Sequence, residues 1–371
     1  MAPFARSVWR WIPRTVSWAA ALCAVLAGAD VAGAAERHDR SHIVLGYMQD
    51  SGNPADSAMR QYRWHALTHV ALPFTAFNAS GAFTNTSAWT SRDAELKPGG
   101  AASNNGVKVL MALAPISGGN FDVSIINTVM SSNALQDTLI ANVISLVSDP
   151  STGCDGVTLD MEPFNWNSTA RTGLTRFIQQ LNAQLKALNP PRELSVYVAA
   201  TYDSTDYDYP AIRDHVDYII YSGYDFSYGG GIQGVGIYGT PGIFSIIRNL
   251  DAYLDPSRGQ FPPEKVVLAL PLYGRQFSVT SVAEPVYGQT ASRGESAGWT
   301  ESVFATSYRI PALTRHSSGP SHYVKYFSES TGGSSWNTTA FDDDETLEYK
   351  LRLAKAWKGN YSTGRPLRGV A

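Results

Sequence analysis

Three acidic residues lie in and directly after a short apolar stretch of this chain. Residues 154–163 read CDGVTLDMEP, with acids at Asp155, Asp160 and Glu162. Alternate side chains of a β-strand share one face, so Asp160 and Glu162 point the same way as Thr158, while the apolar residues between them point the opposite way. The spacing predicts a row of polar groups, ending in two carboxyl groups, on one face of a strand.

Two neighbouring carboxyl groups are costly in low-dielectric surroundings, because carboxylates repel each other and burial disfavours ionisation. We therefore expect a proton to be retained near neutral pH, on Glu162 or shared with Asp160, which is what a general acid requires. Capping of the next helix or binding of a cation is the non-catalytic alternative. A helix cap accounts for one acid but not for a same-face pair, so acid catalysis is favoured.

The elements that must position these acids are visible as alternating apolar runs and helical patterns. Apolar residues recur at three- and four-residue steps over residues 169–189, which predicts a helix, and a last helix is expected at about 344–358. Runs that are apolar nearly throughout and alternate with helices are typical of parallel strands covered by helices. The predicted strands are residues 42–48, 69–77, 107–114, 156–162, 194–200, 216–224 and 265–274.

These strands, with the short run 368–371 after the last helix, predict an α/β fold of the (β/α)8 TIM-barrel type over residues 41–371. An open doubly wound sheet is the alternative. The barrel is favoured because acidic and aromatic residues cluster where strands end, and barrel enzymes keep their sites there. Residues 277–340 are rich in Gly, Ser, Thr and aromatics, which predicts a small, β-rich α+β insertion between the seventh and eighth strands.

The N-terminal residues 1–34 are typical of a secretory signal peptide. They contain three arginines, an apolar run at residues 18–27 and the small residues of the sequence AGA at 32–34. A membrane anchor is the alternative, but the apolar run is shorter than the roughly 20 residues that span a bilayer. We expect a secreted protein, extracellular or periplasmic, with no membrane association after signal cleavage.

Charge and cysteine content exclude several classes of protein. Without residues 1–34 the chain has 26 basic and 31 acidic residues, a net charge of −5, and no basic tract, so we expect no nucleic-acid partner. Cys23 lies in the signal segment and leaves Cys154 alone, so no intrachain disulfide is expected. We expect Cys154 to be a buried structural thiol, and the protein to be a monomer without a cofactor.

Two further patterns predict no site. Residues 234–239 fit a dinucleotide-binding glycine pattern, but no helix opens at its third glycine, so we expect a loop. His65 and His69 are four residues apart but lack a companion glutamate, so we expect no metal.

Three stretches together resemble one known family. Residues 155–162, DGVTLDME, resemble the fourth-strand signature D-G-x-D-x-D-x-E of glycoside hydrolase family 18, the chitinase family. Tyr224 and Asp225 are similar to its sixth-strand M-x-Y-D element, and KVVLALPLYGR is similar to its seventh strand, G-x-P-x-Y-G-R. Residues 336–355 resemble the segment that follows the inserted subdomain, so the resemblance covers nearly all of the chain from residue 46 onward.

The resemblance implies a barrel that hydrolyses β-1,4-linked N-acetylglucosamine polymers with retention of configuration, assisted by the acetamido group of the substrate. It implies that Glu162 protonates the leaving oxygen and that Asp160 hydrogen-bonds the acetamido N–H. It also implies that Tyr224 orients the acetamido carbonyl and that Asp225 positions the sugar.

Four more residues are implied to contact the substrate: Tyr47, Thr158, Tyr273 and Arg275. The last two are expected at the end of the seventh strand, where structural support is an equal alternative.

The chain departs from the family pattern at three places. Thr158 replaces the middle aspartate, so Asp160 loses a carboxylate that would share its proton, and the rate or the pH optimum is expected to differ. The third-strand S-x-G-G is replaced by ALAP at residues 112–115, with SGG at 117–119. The chain stops at Ala371, before the family's tryptophan. We therefore expect an incomplete gene product or fragment, with two exposed strand edges unless another element takes their place.

Flat aromatic rings could stack on sugar faces, although each one alone is more typical of core packing. The candidates are Trp166, Tyr202, Tyr228 and Trp299. Two function classes remain. One is a secreted hydrolase of chitin or related N-acetylglucosamine polymers, with peptidoglycan or another amino-sugar glycan as the alternative substrate. The other is a non-catalytic carbohydrate-binding protein on the same scaffold.

Overall fold

The apolar runs that predicted parallel strands form strands in the structure. The structure, a computed structural model, describes residues 41–47, 64–162, 164–224, 246–279, 294–298, 312–315, 322–327, 336–341, 344–356 and 365–371. The strands in these residues are β1 (Ile43–Tyr47), β2 (His69–Ala76), β3 (Lys108–Ala114), β4 (Ile116–Ser117), β5 (Asn120–Phe121), β6 (Gly156–Leu159), β7 (Glu193–Val198), β8 (Tyr218–Ser222), β9 (Val266–Ala269), β10 (Tyr273–Val279), β11 (Gly294–Gly298), β12 (Ala312–Arg315), β13 (His322–Phe327), β14 (Trp336–Phe341) and β15 (Gly369–Val370).

Eight of these strands close into a parallel barrel, in the order β1, β15, β9, β8, β7, β6, β3, β2. The closed ladder confirms the predicted TIM barrel and excludes the open doubly wound sheet. Several strands end earlier than predicted: β6 ends at Leu159 rather than at Glu162. Met161, two residues beyond the end of β6, is still fully buried. The apolar pattern therefore continues past the last paired residue, and the predicted strand was too long.

The eighth strand closes the barrel with two residues. Gly369 is the register partner of both Ile43 on β1 and Val267 on β9, and Val370 continues both pairings. The N–H of Ala371 donates to a β9 carbonyl at 2.9 Å. The prediction of two exposed strand edges is therefore wrong, because these residues bond to both neighbouring strands. A side chain at Gly369 would collide with the carbonyl of Ile43, so the close approach of the strands requires glycine here.

Helices follow the barrel strands. The predicted helix over residues 169–189 is confirmed at Ser168–Ala187, and it begins where Asn167 Oδ1 accepts a hydrogen bond from the N–H of Ala170 at 2.9 Å. The helices of the described residues are α1 (Thr86–Thr90), α2 (Ala101–Asn104), α3 (Val123–Met130), α4 (Asn133–Val147), α5 (Ser168–Ala187), α6 (Tyr209–Ile212), α7 (Ile246–Leu254) and α8 (Asp344–Lys355), with short 3-10 turns at Trp64–Ala66, Ala94–Leu96, Arg213–His215 and Pro263–Lys265.

The strands bury apolar side chains on both faces. An outer layer between strands and helices includes Leu159 of β6 and Phe177 of α5. An inner layer along the barrel axis includes Leu45, Ile220 and Val267. Burial on both faces is the reason that the strand sequences are apolar nearly throughout rather than alternating.

An antiparallel five-stranded sheet, in the order β11, β10, β14, β13, β12, lies between the seventh and eighth barrel strands in the chain. It begins earlier than residue 277, because β10 starts at Tyr273. Tyr273 and Arg275 were expected at the end of the seventh barrel strand. They lie instead on β10, where Arg275 pairs with residues of β11 and β14. Pro271 separates β10 from β9 because it cannot donate to a strand ladder.

An ion cluster closes the end of the barrel where the strands begin. Glu193, the first residue of β7, lies 3.0 Å from Nε2 of His69 and accepts a hydrogen bond from Nζ of Lys108. Between them on β6 is Gly156, where a Cβ would lie 2.9 Å from the Cβ of Glu193. The glycine of the DGVTLDME motif thus leaves room for Glu193 to reach its two partners.

The pKa of Glu193 depends on these partners. Desolvation alone would raise it, but the hydrogen bond and charge of His69, together with those of Lys108, hold the pKa at about 2. His69 is therefore part of an ion cluster rather than a metal site with His65.

Cys154 is a buried free thiol, as predicted, and burial raises its pKa to about 12. A thiol with so high a pKa is a poor nucleophile. Within the described residues, no helix has both the length and the apolar character needed to cross a bilayer. The glycine pattern at residues 234–239 and the segment 1–34 lie outside the described residues.

We expect Glu193→Gln to lower the free energy of unfolding at pH 7 by roughly 2–3 kcal/mol. The folded-state pKa of Glu193, about 2, lies below the ordinary value of 4.5. The stabilisation is therefore complete above about pH 4.5 and is lost as the pH falls toward 2. Urea unfolding of wild type and variant between pH 7 and pH 2.5 measures the difference, which should shrink with falling pH.

The matched control is Asp137→Asn, which breaks an exposed ion pair with Arg176 of 2.9 Å. It should change the free energy of unfolding by less than about 0.5 kcal/mol, since exposed pairs contribute little. A Glu193→Gln effect that stays constant across this pH range would contradict the assigned ion cluster.

Candidate active site

The acidic row continues directly from the end of β6. The chain stays beside β3 for one more residue, because the N–H of Asp160 donates to the carbonyl of Leu113 at 3.0 Å. Thr158 is fully buried, Asp160 is 6 % exposed and Glu162 is half-buried. The apolar residues between them pack in the outer layer. The polar side chains therefore face the barrel axis and rise toward its mouth.

The surroundings of Asp160 favour its protonated form. Desolvation raises its pKa well above the ordinary range, and the neighbouring charge of Glu162 raises it further. One carboxylate oxygen, Oδ1, is buried without a hydrogen-bond partner among the described residues. Two carboxyl groups in this position cannot both ionise without a large cost, so the pair retains a proton.

Two tyrosines stand beside the acids. Tyr47 at the end of β1 and Tyr197 of β7 meet edge to face, with ring centroids 5.9 Å apart at 78°. Tyr47 exposes 38 % of its surface, yet its pKa is raised, first by desolvation of its hydroxyl and then by the charge of Asp160, while the Thr158 hydroxyl opposes the rise. The pKa of Tyr197 is raised by desolvation, by Tyr47 and by both acids. Both phenols therefore remain neutral hydrogen-bond donors.

An aromatic group fixes the segment that carries Glu162. Phe164 lies 5.7 Å from the ring of Trp166 and 6.2 Å from that of Tyr207, each edge to face. Trp166 Nε1 donates to the carbonyl of Asp206 at 2.7 Å. These contacts attach the chain after β6 to the loop after β7, so the position of Glu162 depends on that loop.

The structure brings together Glu162, Asp160, Thr158 and Tyr47. Tyr224, which follows β8, is half-buried and packs on the inner apolar layer. The described residues end there, so Asp225 lies outside them, and of Tyr273 and Arg275 only the backbone on β10 is described.

The aromatic candidates for sugar stacking are mainly packing residues where they are described. Trp166 is 8 % exposed, and its ring is held in the aromatic group above. Tyr202 stacks on Tyr209 with centroids 5.2 Å apart, and the Arg258 guanidinium lies 4.4 Å from its ring centroid. Tyr228 and Trp299 lie outside the described residues.

Sequence reasoning missed Tyr197, Tyr207 and Asp206. Alternation along β7 could have placed Tyr197 on the inner face, since the strand is paired with β6. For the other two, the available signal was the stretch YDSTDYDY at residues 202–209, directly after a strand end. It contains three tyrosines, three aspartates, one serine and one threonine. Among the described residues there is no group of three or more His, Cys, Asp or Glu side chains that could hold a metal ion.

Asp206 is the second acid with a raised pKa at this end of the barrel. It is 5 % exposed, and its pKa rises to about 7, mainly through desolvation, with a further contribution from Asp203 and an opposing one from Arg171. Arg171 reaches the same loop from α5 and donates to the carbonyls of Ser204 and Tyr207 at 3.0 and 2.9 Å. The loop thus carries an acid that titrates near neutral pH.

The sequence pattern that defines glycosyl hydrolases family 18 matches residues 43–359 of the chain. The chain belongs to this family. The match includes the fourth-strand acids, both tyrosines at the barrel mouth and the inserted sheet. Family 18 membership places the protein among the glycoside hydrolases and agrees with its closed (β/α)8 barrel.

Proteins similar to this family 18 chain include YdhD of Bacillus subtilis, named as a sporulation-specific glycosylase, with 24 % identity over 262 residues. That match covers 68 % of the chain, which spans 56 % of the length of YdhD. The spore cortex-lytic enzyme SleL of Bacillus cereus matches with a TM-score of 0.65 and 18 % identity, over 89 % of this chain and 70 % of SleL. A class V chitinase mutant of Nicotiana tobaccum in complex with NAG4 matches with a TM-score of 0.67 and 17 % identity, over 89 % of this chain and 92 % of the chitinase chain.

We expect Asp206→Asn to stabilise the family 18 barrel at pH 8 and to have little effect near pH 4. The folded-state pKa of about 7 lies above the ordinary 3.8, so the cost of burying this carboxylate is absent below about pH 4 and complete above pH 7. The gain at pH 8 should reach roughly 4 kcal/mol at most. Chemical unfolding at the two pH values measures it.

Asp208→Asn is the matched control in the same loop. Asp208 caps α6, with its carboxylate accepting from the N–H of Ala211, and asparagine caps helices equally well. This variant should leave stability unchanged at both pH values. Equal stability of Asp206→Asn and wild type at pH 8 would show that Asp206 is not desolvated as described.

Proposed function

We propose that this protein hydrolyses β-1,4-linked N-acetylglucosamine polymers, such as chitin or its oligomers, with Glu162 as the general acid. The observation that carries the proposal is the pair of carboxyl groups at the barrel mouth. Asp160 is nearly buried and its pKa is raised by desolvation and by Glu162, so the pair holds a proton at neutral pH. Glu162 is the more exposed member and is therefore the one that can reach a glycosidic oxygen.

The reaction begins with proton transfer from the Glu162 carboxyl group to the leaving glycosidic oxygen. The bond from that oxygen to the anomeric carbon breaks while the acetamido oxygen of the same sugar bonds to the anomeric carbon. Water then attacks this carbon from the vacated side and gives a proton back to Glu162, while the bond from the anomeric carbon to the acetamido oxygen breaks and the acetamido group is restored. The two displacements together retain the configuration, as in the substrate-assisted exception to the two-carboxylate scheme.

The other residues act on the acetamido group. As an anion, Asp160 would accept a hydrogen bond from the acetamido N–H and stabilise the positive charge of the cyclic intermediate. Its proton then resides on Glu162, which needs it for the first step, so the shared proton links the two roles. Tyr224 would orient the acetamido carbonyl, and Tyr47 would offer its neutral hydroxyl to Asp160 or to the sugar.

A related amino-sugar glycan, peptidoglycan in particular, is the second candidate substrate. SleL is a spore cortex-lytic enzyme by name, and its likeness to this chain extends over 89 % of the chain. Thr158, in place of the aspartate of the chitinase signature, is the feature that sets this chain apart from that signature. The same substitution is the reason that a non-catalytic, carbohydrate-binding role is tested beside hydrolysis.

We expect Glu162→Gln to reduce turnover of chitin oligomers by about 10²–10⁴-fold while leaving their binding within a few-fold of wild type. Glutamine keeps the size and hydrogen bonding of the side chain but has no proton to donate. Release of reducing ends measures turnover, and calorimetry with the same oligomers measures binding. Peptidoglycan fragments assayed in parallel decide between the two substrate classes.

Glu348→Gln serves as the control, because Glu348 lies on α8 and pairs with Arg352 at the exposed surface. It should retain full turnover. Turnover that survives Glu162→Gln would overturn the assigned acid. Binding without turnover by the wild type on both glycans would favour the carbohydrate-binding role.

We also propose that residues 1–34 direct export and are removed. Support comes from their arginines, their apolar run and the small residues at 32–34. Expression of the full chain in a bacterial host should yield a product outside the cytoplasm whose N-terminus lies near residue 35. A cytoplasmic product that retains residues 1–34 would contradict export.

A further inference from the structure

Four polar atoms inside the barrel lack a hydrogen-bond partner among the described residues. They are Thr158 Oγ1, Asp160 Oδ1, Ser195 Oγ and Tyr218 Oη. Thr158 and Ser195 are fully buried, and Tyr218 is 1 % exposed. Native proteins pair nearly all such groups, either within the protein or through ordered water. Four of them in one place therefore indicate a common partner.

The three hydroxyl groups lie at one level on adjacent strands. Thr158 of β6 is the register partner of Ser195 of β7, and Ser195 is the register partner of Tyr218 of β8. Asp160 is two residues further along β6 on the same face, about 6–7 Å nearer the barrel mouth.

The hydroxyl groups of Ser195 and Tyr218 lie close enough to influence each other, although neither has a partner at the distance and angle of a hydrogen bond among the described residues. The pKa of Tyr218 is raised by desolvation and by the charge of Glu193, while the Ser195 hydroxyl opposes the rise. Each oxygen nevertheless lacks a bonded partner among the described residues. The groups are therefore neighbours with unused hydrogen-bonding capacity, which an intervening water molecule can satisfy.

The residues beside these hydroxyl groups are small. On β3 the register partner of Thr158 is Ala112, which is small and fully buried. Three small side chains, Ala112, Thr158 and Ser195, thus share one layer. A site lined by several polar groups and enclosed by small residues is where a buried water is stable, since it typically makes about three hydrogen bonds.

The site is enclosed from both ends. Below it, the ring of His69 lies edge to face with that of Tyr218, at a centroid distance of 6.1 Å, and the ion cluster of Glu193 closes the barrel. Above it stand Asp160 and the edge-to-face pair of Tyr47 and Tyr197. A molecule held there exchanges slowly with solvent and remains fixed to its partners.

We propose that Thr158, Ser195 and Tyr218 bind one or two water molecules that connect them to Asp160 Oδ1 and so take the place of the absent inner carboxylate. The three residues are positioning residues, since they act on the reaction through Asp160. The water site stands on the geometry alone, whereas its catalytic consequence rests on the proposed function.

A hydrogen-bonded chain of this kind affects the titration of Asp160. Donors to a carboxylate favour its charged form, so removing one of the hydroxyls should raise the pKa of Asp160 further. The titratable groups that face Asp160 are Glu162, Tyr47, Tyr197 and Tyr207. Substitutions at Ser195 and Tyr218 leave these four groups in place, so a shift in those two variants reports on the chain itself. The Thr158 hydroxyl also acts on Tyr47, so a shift in its variant includes that contact.

The first test is a high-resolution crystal structure of the whole protein without substrate. Ordered water within hydrogen-bonding distance of at least two of the three hydroxyls and of Asp160 Oδ1, or of a second water that reaches it, is the expected result. A lumen without such water at this level, or direct hydrogen bonds among the four groups, would overturn the proposal. This readout needs no activity and therefore stands even if the proposed hydrolysis fails.

The second test measures the pH dependence of kcat/KM on chitin oligomers for Thr158→Val, Ser195→Ala and Tyr218→Phe. Each removes one hydroxyl with little change of shape. The acid limb should move to higher pH by about 0.5–1 pH unit, because activity requires Asp160 as an anion. KM should change less than kcat. Lower activity without a moved acid limb would reduce these residues to a structural role.

Thr75→Val is the matched control. Thr75 Oγ1 is also buried without a partner among the described residues, but its register partner Leu113 packs in the outer layer, away from the barrel axis. The acid limb of this variant should coincide with that of wild type. A shift equal to that of Thr158→Val would show that loss of any buried hydroxyl moves the profile, and would overturn the proposal.

Thr158→Asp provides a rescue arm. A carboxylate at this position fills the space of the water and bonds Asp160 directly, so Ser195→Ala should shift the acid limb much less in the Thr158→Asp background than in wild type. Equal shifts in both backgrounds would contradict the idea that water replaces the carboxylate.

Discussion

Closure of the barrel by residues 368–371 is the constraint on which the buried site depends. Gly369 and Val370 bond to β1 on one side and to β9 on the other, so neither strand presents an open edge at that level. An opening there would admit water to the inner layer, where Leu45 and Val267 pack beside the site. Asp160 is desolvated because the ladder is continuous, and its raised pKa follows from that desolvation. Gly369 and Val370 therefore help to keep Asp160 away from water.

The two ends of the barrel show opposite electrostatics for the same type of side chain. Glu193 is buried beside His69 and Lys108, whose hydrogen bonds and charge lower its pKa to about 2, so it stays charged. Asp160 is buried beside another acid, so its pKa rises and the pair keeps one proton. Burial opposes ionisation in both cases, and the sign of the neighbouring charge decides the outcome. One end thereby contributes stability, and the other holds a proton available for transfer.

Membership of family 18 agrees with the barrel scaffold, while the inner layer differs from the fourth-strand signature at Thr158. Thr158 is smaller than the aspartate of the signature, and its register partner Ala112 is also small. Ser195 and Tyr218 bring hydroxyl groups to the neighbouring strands. A barrel can accept such changes because its interior is filled by layers of side chains from several strands, so a loss on one strand can be offset by side chains of the others.

The sequence by itself determined the strands, the helix at Ser168–Ala187, the barrel and the acidic row, because these follow from local periodicity and from one motif. It also determined the burial of Cys154. Other features depend on residues far apart in the chain. The closing of the barrel by Gly369 and Val370, the partners of Glu193, and the meeting of Tyr47 with Tyr197 were decided only by the tertiary structure. The same holds for Tyr273. The apolar run of the seventh strand continues to this residue in the sequence, but its backbone pairs with β11 of the inserted sheet. Pairing and enclosure are properties of which strands become neighbours, and no local pattern specifies that.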